Sequence, residues 1–290
     1  MDVRWVSATD VRERSLADRR RDGWVGSPEA DPVIRGLFSG PRARGSLTAL
    51  LGTDEQGRPV WTDLHHPRGT HLLIVGGTQS GKSELLRTIA MSVALRCRPS
   101  EVQLAAVDPT GRELRVVEAL PHALMGLAER PEDAEELLAW LADEARRRLL
   151  RREARPSVVL LLEAFEVGGR EGSDKAARRL EDVLRLGPLC GIHVVAAADR
   201  PRTGIPWAAR TRVVESLQGR GPGWFRLHGE AGGGIFRAAH LGVRDLDMAV
   251  RWIRGERGGY RGGGRSTPSG PPSAGKPWIL GGTGESGGGV

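Results

Sequence analysis

Eight consecutive residues, GGTQSGKS at positions 76–83, place a lysine and a hydroxyl side chain directly after glycine-rich backbone. They fill every fixed position of the pattern G-x-x-x-x-G-K-[ST]. In that pattern, backbone N–H groups cradle phosphate oxygens, the lysine reaches the β- and γ-phosphates, and the hydroxyl ligates Mg²⁺. Because lysine is scarce in this chain, a phosphate-binding loop is favoured over a glycine-rich turn that matches by chance. The residues predicted to bind nucleotide are Gly76, Gly77, Thr78, Gln79, Ser80, Gly81, Lys82, Ser83 and Glu84.

A second candidate for chemistry is SVVLLLEAFE at positions 157–166, where an aliphatic run ends in Glu163. A buried strand that ends in a carboxylate can present that acid to a metal ion, and carboxylate and hydroxyl oxygens suit Mg²⁺. Ser83 and Glu163 are therefore the predicted Mg²⁺ residues. Ala164 follows, where many ATPases have a catalytic base, and alanine can neither accept a proton nor orient water. Glu166 is the nearest residue that could substitute, and it lies past the predicted end of the strand.

Strands and helices alternate on both sides of these candidates. The predicted strands are 71–76, 102–108, 157–163 and 191–199, and the predicted helices are 82–95, 131–152 and 176–186. SLTALLG and RPVWTDL flank the turn TDEQG and predict a short β-hairpin ahead of the first of these strands. Short apolar strands separated by helices predict an α/β fold, with a mostly parallel sheet flanked by helices.

The two ends of the chain differ in composition from this alternating part. Residues 1–45 are charged and broken by prolines and are predicted to be an arm, with one short helix at 11–21. Residues 256–290 are rich in Gly, Pro and Ser and are predicted to be a disordered tail. Its RGG-like pieces could touch nucleic acid, but a solvated linker is the favoured interpretation. The predicted nucleotide-binding domain is thus 46–255.

Composition limits the classes of protein that remain. The net charge of +7 comes from 43 basic and 36 acidic residues. This excess of basic residues fits affinity for a polyanion such as DNA. The favoured explanation is a coding sequence rich in G and C, which raises the Arg content, because acidic residues are interspersed along the chain. Two cysteines are too few for a disulfide framework and fit a reducing cytoplasm. No apolar run approaches the ~18 residues of a membrane-spanning helix, so we expect no direct membrane insertion.

Several segments resemble the FtsK/SpoIIIE family of DNA-pumping motor proteins and the related ATPase modules of type VII secretion. The segments are the hairpin, HLLIVGGTQSGKSELLRTIA, VQLAAVDPTGREL, LPHAL, PEDAEELLAWLADEARRRLL and GIHVVAAADRP. They span about residues 46–255. The resemblance implies a RecA-like P-loop NTPase fold that binds ATP and Mg²⁺. It also implies a homo- or hetero-oligomeric ring or larger translocation complex, with double-stranded DNA as a candidate partner and a membrane complex contacted only through partners.

Positions that the resemblance assigns to hydrolysis are altered in this chain. Ala164 stands where the family's water-polarising Glu is expected, and Asp199 stands where a polar Gln sensor is expected. Pro188 occupies the position of the arginine finger offered to a neighbouring subunit, and Arg185 is the nearest replacement. Glu163 replaces the family's Asp but keeps a carboxylate that could reach a magnesium-bound water.

These departures, with Lys82 and Ser83 intact, predict a module that binds nucleotide but hydrolyses it slowly or not at all. The carboxylate of Asp199 would repel a γ-phosphate unless this carboxylate is protonated or paired with a cation. Arg200 is a candidate partner for it. The chain most resembles the degenerate C-terminal modules of multi-module members. Two alternatives stay open: an active ATP-driven double-stranded DNA translocase that uses Glu163 with Glu166 or Arg185, and a structural module stabilised by nucleotide.

The other polar and aromatic residues are given structural interpretations. Asp108 precedes a proline and is predicted to form a turn. Five histidines show no metal-ligand spacing with Cys97 or Cys190 and are interpreted as structural or surface groups: His65, His66, His71, His122 and His193. The arginines that end the longest predicted helix either face DNA or a subunit, or form a solvated turn that complements the helix dipole. Trp207 and Trp224 are predicted to be packing anchors in loop-rich segments.

Overall fold

The computed structural model describes residues 47–66, 70–163, 173–199, 211–228 and 234–254 of the chain. The strands within these ranges are β1 (Thr48–Thr53), β2 (Pro59–Asp63), β3 (His71–Val75), β4 (Val102–Val107), β5 (Ser157–Leu162), β6 (Ile192–Ala198), β7 (Thr211–Ser216), β8 (Trp224–Leu227) and β9 (Gly234–Ala238). The α-helices are α1 (Lys82–Arg96), α2 (Pro131–Arg151), α3 (Ser173–Leu186) and α4 (Val243–Ile253). Short 3₁₀ turns are formed by Arg115–Ala119, Gly187–Leu189 and Gln218–Arg220.

All of these strands belong to one mixed sheet in the order β2-β1-β9-β8-β7-β3-β6-β5-β4. The pairs from β7 through β3, β6 and β5 to β4 are parallel. The pairs from β7 through β8, β9 and β1 to β2 are antiparallel. The predicted α/β fold and the predicted hairpin of β1 and β2 are confirmed. The sheet was predicted to be mostly parallel, but only four of the eight strand pairs in the described ranges are parallel, because β8, β9 and the hairpin add antiparallel pairs. The hairpin is the outer part of a wider antiparallel extension.

Helices cover both faces of the sheet, as the apolar runs of the central strands predict. Successive side chains of β3 alternate between the faces: Leu72 packs into the core that contains α1, and Leu73 into the core that contains α2 and α3. All five residues of β3 and all six of β5 are buried. Packing on both faces of the sheet therefore fixes the position of the carboxyl ends of these strands.

The predicted strands and helices are found with small shifts at their ends. The longest helix ends at Arg151 because Arg152 adopts a left-handed conformation with φ of 56° and caps it. Trp224 begins strand β8, so its predicted place in a loop is wrong. The predicted helix at 11–21, the tail and Trp207 lie outside the described residues. None of the described helices is long and apolar enough to cross a membrane.

The arginines at the end of α2 are engaged within the chain to different degrees. Arg148 is only 3% exposed, and its guanidinium donates to Glu144 Oε1 at 2.7 Å and to the Pro156 carbonyl oxygen at 2.7 Å. Arg146 and Arg147 pair with acidic side chains near the helix surface. Arg148 is therefore part of the core, which neither sequence-based interpretation anticipated.

Candidate nucleotide-binding site

The parallel strands bring chemically distinct residues to one edge of the sheet. Because parallel strands all point the same way, their carboxyl ends meet at a common edge, where α/β proteins bind ligands. The residues that end or directly follow these strands, in spatial order, are Ser216, Gly76, Asp199, Glu163 and Asp108. The nine residues predicted to bind nucleotide lie on the loop that leaves β3 and on the first turn of α1.

The loop after β3 requires glycine at two points. Gly81 precedes α1 with φ of 95°, a left-handed conformation that side chains with a Cβ rarely adopt. A Cβ at Gly76 would overlap the Ser216 side chain of the neighbouring strand. No side-chain hydrogen bond caps the start of α1, so its first N–H groups are available to an anion. The conformation of this loop and the available N–H groups at the start of α1 are therefore suited to binding a phosphate group.

The antiparallel strands β8 and β9 support this loop, a role that the sequence did not predict. The Gly223 N–H, in the turn between β7 and β8, donates to the Ser80 carbonyl oxygen at 2.9 Å. The Ala238 N–H of β9 donates to the Gly223 carbonyl oxygen at 2.7 Å. Gly221 and Gly223 both have positive φ. The glycine spacing in GRGPGW at 219–224 was the available signal for a tight turn.

Lys82 is held by two oxygen atoms. Its ammonium group donates to the Gly77 carbonyl oxygen at 2.8 Å and forms an ion pair with Asp199 Oδ1 at 2.9 Å. The Lys82 side chain is 9% exposed, whereas that of Asp199 is 70% exposed. The predicted candidate partner, Arg200, lies outside the described residues. The observed partner of Asp199 is the lysine of the phosphate loop itself.

Glu163 lies beside Ser83, as the predicted Mg²⁺ pair requires. The Ser83 hydroxyl donates to Glu163 Oε1 at 2.8 Å, and the Glu163 residue is 5% exposed. Burial raises the pKa of Glu163 to about 7, and the negative charges of Glu113 and Asp108 add to this while the Ser83 hydrogen bond opposes it. Among the described residues, none is a hydrogen-bond partner for the buried Oε2. One hydroxyl and one carboxylate with a free oxygen fit Mg²⁺, which keeps several waters and takes few protein ligands.

Other acidic groups near this pair have structural partners. Asp108 accepts hydrogen bonds from the backbone N–H groups of Thr110, Glu113 and Leu114 at 2.9, 2.6 and 3.0 Å, so its predicted role in a turn is confirmed. Burial raises the pKa of Glu113, which lies 3.5 Å from the guanidinium of Arg87. In the part of the chain that is described, no group of three or more His, Cys, Asp or Glu side chains could hold a metal.

Glu84 follows Ser83 on the first turn of α1. Its carboxylate lies 3.6 Å from the Arg87 guanidinium and pairs with His240. The side chain is therefore tied to α1 and to the segment after β9. Its part in binding nucleotide stays a prediction.

The buried histidines have the predicted structural role. His71 Nδ1 accepts the Val194 N–H at 2.9 Å, and its Nε2 lies 2.9 Å from the Leu184 carbonyl oxygen. His193 Nδ1 lies 3.0 Å from the Thr70 carbonyl oxygen. Burial, with a smaller contribution from His65, lowers the pKa of His193 to about 3. These neutral rings connect β3, β6 and α3.

The position expected to carry an arginine finger lies far from Lys82 of the same chain. Pro188 lies in the 3₁₀ turn before β6, at the amino edge of the sheet, whereas Asp199 follows the other end of this strand. Seven residues of strand span about 23 Å at roughly 3.3 Å per residue. Arg185, the nearest replacement, donates to Asp182 Oδ1 at 2.9 Å. Ala164 and Glu166 lie outside the described residues.

A glycine-rich loop between β3 and α1, with Lys82 and Ser83 facing a strand-end acid, defines a P-loop NTPase fold. The FtsK/SpoIIIE family model matches residues 40–204 of the chain. The chain belongs to this family, as its sequence predicted.

Two relatives illustrate how much of a family member the chain covers. It is 30% identical over 188 residues to the DNA translocase FtsK of Tropheryma whipplei (strain TW08/27), covering 55% of this chain and 25% of that protein. It is 27% identical over 258 residues to the DNA translocase SftA of Bacillus subtilis (strain 168), covering 74% of this chain and 27% of that protein. The chain thus spans about a quarter of the length of these relatives.

Solved structures show the same fold. The cytoplasmic domain of the Thermomonospora curvata type VII secretion ATPase EccC matches with a TM-score of 0.57 and 19% identity, over 72% of this chain and 28% of that one. The pCW3 conjugation coupling protein TcpA, in monomer form with ATPγS, matches with a TM-score of 0.59 and 19% identity, over 75% of this chain and 72% of that one.

Proposed function

We propose that the chain is a nucleotide-binding module of FtsK/SpoIIIE type that binds ATP with Mg²⁺ and hydrolyses it slowly or not at all. In this role it supports a larger assembly that moves DNA or protein. One observation carries the proposal: the groups proposed to hold phosphate lie together at the sheet edge, while the positions that the family resemblance assigns to hydrolysis carry residues unsuited to it.

The first part of this observation concerns binding. Lys82 is placed at the start of α1, where the helix dipole also attracts an anion. The backbone from Gly76 to Gly81 would cradle the phosphates, and Ser83 with Glu163 would hold Mg²⁺. The metal ion would offset the negative charge of the β- and γ-phosphates when bound. Each of these groups stabilises bound nucleotide without requiring that it react.

The second part concerns the reaction. Ala164 cannot polarise a water, and Pro188 cannot stabilise charge on a neighbouring subunit's γ-phosphate. An arginine finger contributes about 10³- to 10⁵-fold in rate, so its loss alone would make turnover slow. Asp199 adds a negative charge beside Lys82 where a neutral sensor is expected.

The location of position 188 in the fold and the names of the relatives support the proposed assembly with other subunits. An arginine at the amino edge of the sheet could reach only the site of another copy, which fits a ring or larger complex. Two relatives are named DNA translocases and one structural neighbour a secretion ATPase, so both DNA and protein are candidate cargoes. We expect the module in the cytoplasm, joined to any membrane complex through partners.

Partial sequence identity, of 30% and 27%, to two DNA translocases supports a second candidate function, that of an active ATP-driven double-stranded DNA translocase. In that case Glu163 would act with Glu166 or Arg185 in place of the missing groups. Turnover in the presence of DNA separates the two candidates.

The experiment measures nucleotide binding and turnover on the same sample, with and without duplex DNA. ATP–Mg²⁺ at 100 times its dissociation constant should stabilise the fold by about 2.7 kcal/mol. Lys82→Ala should lose most of this stabilisation, whereas Lys175→Ala, the same change at an exposed site on α3, should keep it. Equal ATP affinity in the unmodified protein and Lys82→Ala would refute the phosphate-loop assignment.

Steady-state phosphate release then tests slow hydrolysis in the unmodified protein, Ala164→Glu, Pro188→Arg and the double variant. We expect the unmodified protein to turn over well below ~1 s⁻¹ and to respond little to DNA. The double variant should exceed both single variants, because a positioned base and a charge-stabilising arginine act on the same transition state. Turnover of ~1 s⁻¹ or faster in the unmodified protein would overturn slow hydrolysis and favour the translocase.

A further inference from the structure

The ion pair between Lys82 and Asp199 joins the phosphate loop to the end of the adjacent strand β6. The carboxylate Oδ1 lies 2.9 Å from the Lys82 ammonium, and the Gly77 carbonyl oxygen lies 2.8 Å from it. An ammonium group has three N–H donors, so these two contacts leave one donor for a phosphate oxygen.

The lysine of a P-loop contacts oxygens of both the β- and the γ-phosphate. A diphosphate needs one donor from this lysine, and the third donor of Lys82 can supply it while the ion pair with Asp199 persists. A triphosphate brings a second phosphate to the same ammonium, and that phosphate must share Lys82 with a carboxylate. Two anions on one ammonium repel each other, or the carboxylate must give up its ion pair and move away.

We propose that Asp199 determines nucleotide specificity by occupying the γ-phosphate's contact on Lys82, so that the site prefers a nucleoside diphosphate to a triphosphate. The inference rests on the nucleotide binding proposed above and names the ligand class that this binding favours. It also gives the module a stable liganded state that needs no hydrolysis, since the preferred ligand has no γ-phosphate.

The exposure of Asp199 limits the size of the effect. Its side chain is 70% exposed, so solvent and salt screen its charge more than they would a buried carboxylate. We therefore expect Asp199→Asn, which keeps the shape and removes the charge, to improve triphosphate affinity relative to diphosphate affinity by about tenfold. A tenfold change in this ratio corresponds to about 1.4 kcal/mol.

The test is calorimetric titration of ADP and of the β,γ-imido analogue of ATP, both with Mg²⁺, into the unmodified protein and Asp199→Asn. Asp143→Asn is the matched control, because Asp143 is 68% exposed and pairs with Arg146 at 2.7 Å on α2. The control should leave the ratio of the two affinities within about twofold of its original value. The preference of the unmodified protein for ADP should also shrink as ionic strength rises.

Each outcome bears on the inference in a distinct way. An ADP preference in the unmodified protein that falls about tenfold in Asp199→Asn, and not in Asp143→Asn, supports it. Equal changes in both affinities, or none, would overturn it while nucleotide binding itself stands. If neither nucleotide bound to either protein, the proposed function would fail together with this inference.

Discussion

Replacing Glu163 with Gln should remove a pH-dependent destabilisation that arises from burying a carboxylate. Burial raises the pKa of Glu163 from 4.5 to about 7. Between these two values the folded protein keeps a proton on Glu163 that the unfolded chain has released. Stability therefore falls as pH rises from 4.5 to about 7, and the full penalty is present at higher pH.

The two pKa values set the size of this effect. At about 1.36 kcal/mol for each pKa unit, the rise from 4.5 to about 7 corresponds to about 3 kcal/mol. Gln has the shape of a protonated Glu, and its carbonyl oxygen can still accept the hydrogen bond from Ser83. The variant and the unmodified protein should thus be equally stable below pH 4.5, and the variant should be more stable by about 3 kcal/mol at pH 8.

His193 changes the pH profile in the opposite direction without affecting this comparison. Its pKa is lowered from 6.5 to about 3, so the unfolded chain takes up a proton below pH 6.5 and stability falls as pH decreases. The contribution is the same with Glu or Gln at position 163. It cancels when the two free energies of unfolding are subtracted at each pH.

The assay is urea denaturation at several pH values from 4.5 to 8, without nucleotide or divalent metal. Glu136→Gln, the same change at an exposed position on α2, is the control and should not change the profile. The contrary result would be free energies of unfolding for Glu163→Gln that run parallel to those of the unmodified protein over the whole pH range. Such a result would show that Glu163 is not a buried, neutral acid. The shared location of Ser83 and Glu163 would then be in doubt.

Two further predictions concern the core and the domain boundary. Arg148→Met should lower the free energy of unfolding by about 3 kcal/mol, because buried carbonyl oxygens and Glu144 lose a charged donor. Arg151→Met at an exposed position of the same helix is the control, and equal losses in urea denaturation would contradict the burial of Arg148. Deleting 256–290 should leave the cooperative thermal unfolding transition in place, given the composition of this segment. Loss of that transition would move the domain boundary.

The sequence by itself determined the phosphate loop, the helix after it and the aliphatic strands of the parallel sheet. Gly81, Lys82 and Ser83 stand at fixed spacing, and the backbone conformation that they require is local, so it can be predicted without knowing the rest of the fold. The apolar runs of β3 and β5 also determine their own burial, because only a sheet covered on both faces accepts them. Family membership followed from these same segments.

Strands β7 to β9 were not predicted. Strands β8 and β9 are short and lie next to glycines, and β7 and β9 are held by pairing with β3 and β1, which are distant in the sequence. The hydrogen bond from Gly223 to Ser80 depends on that pairing. The burial of Arg148 likewise depends on the Pro156 and Cys190 carbonyl oxygens, which only the packed structure places beside α2.

The contact of Asp199 with Lys82 most clearly separates what the sequence determines from what the tertiary structure determines. Both residues could be recognised in the sequence, and a repulsive effect of Asp199 on a γ-phosphate could be expected from its charge. The strand order decides which cation Asp199 contacts. Because β6 lies next to β3, the end of β6 is beside the loop that follows β3. Local patterns thus determined which groups are present, and the tertiary structure decided their partners, because hydrogen bonds and ion pairs form only between groups that the fold holds within about 3 to 4 Å.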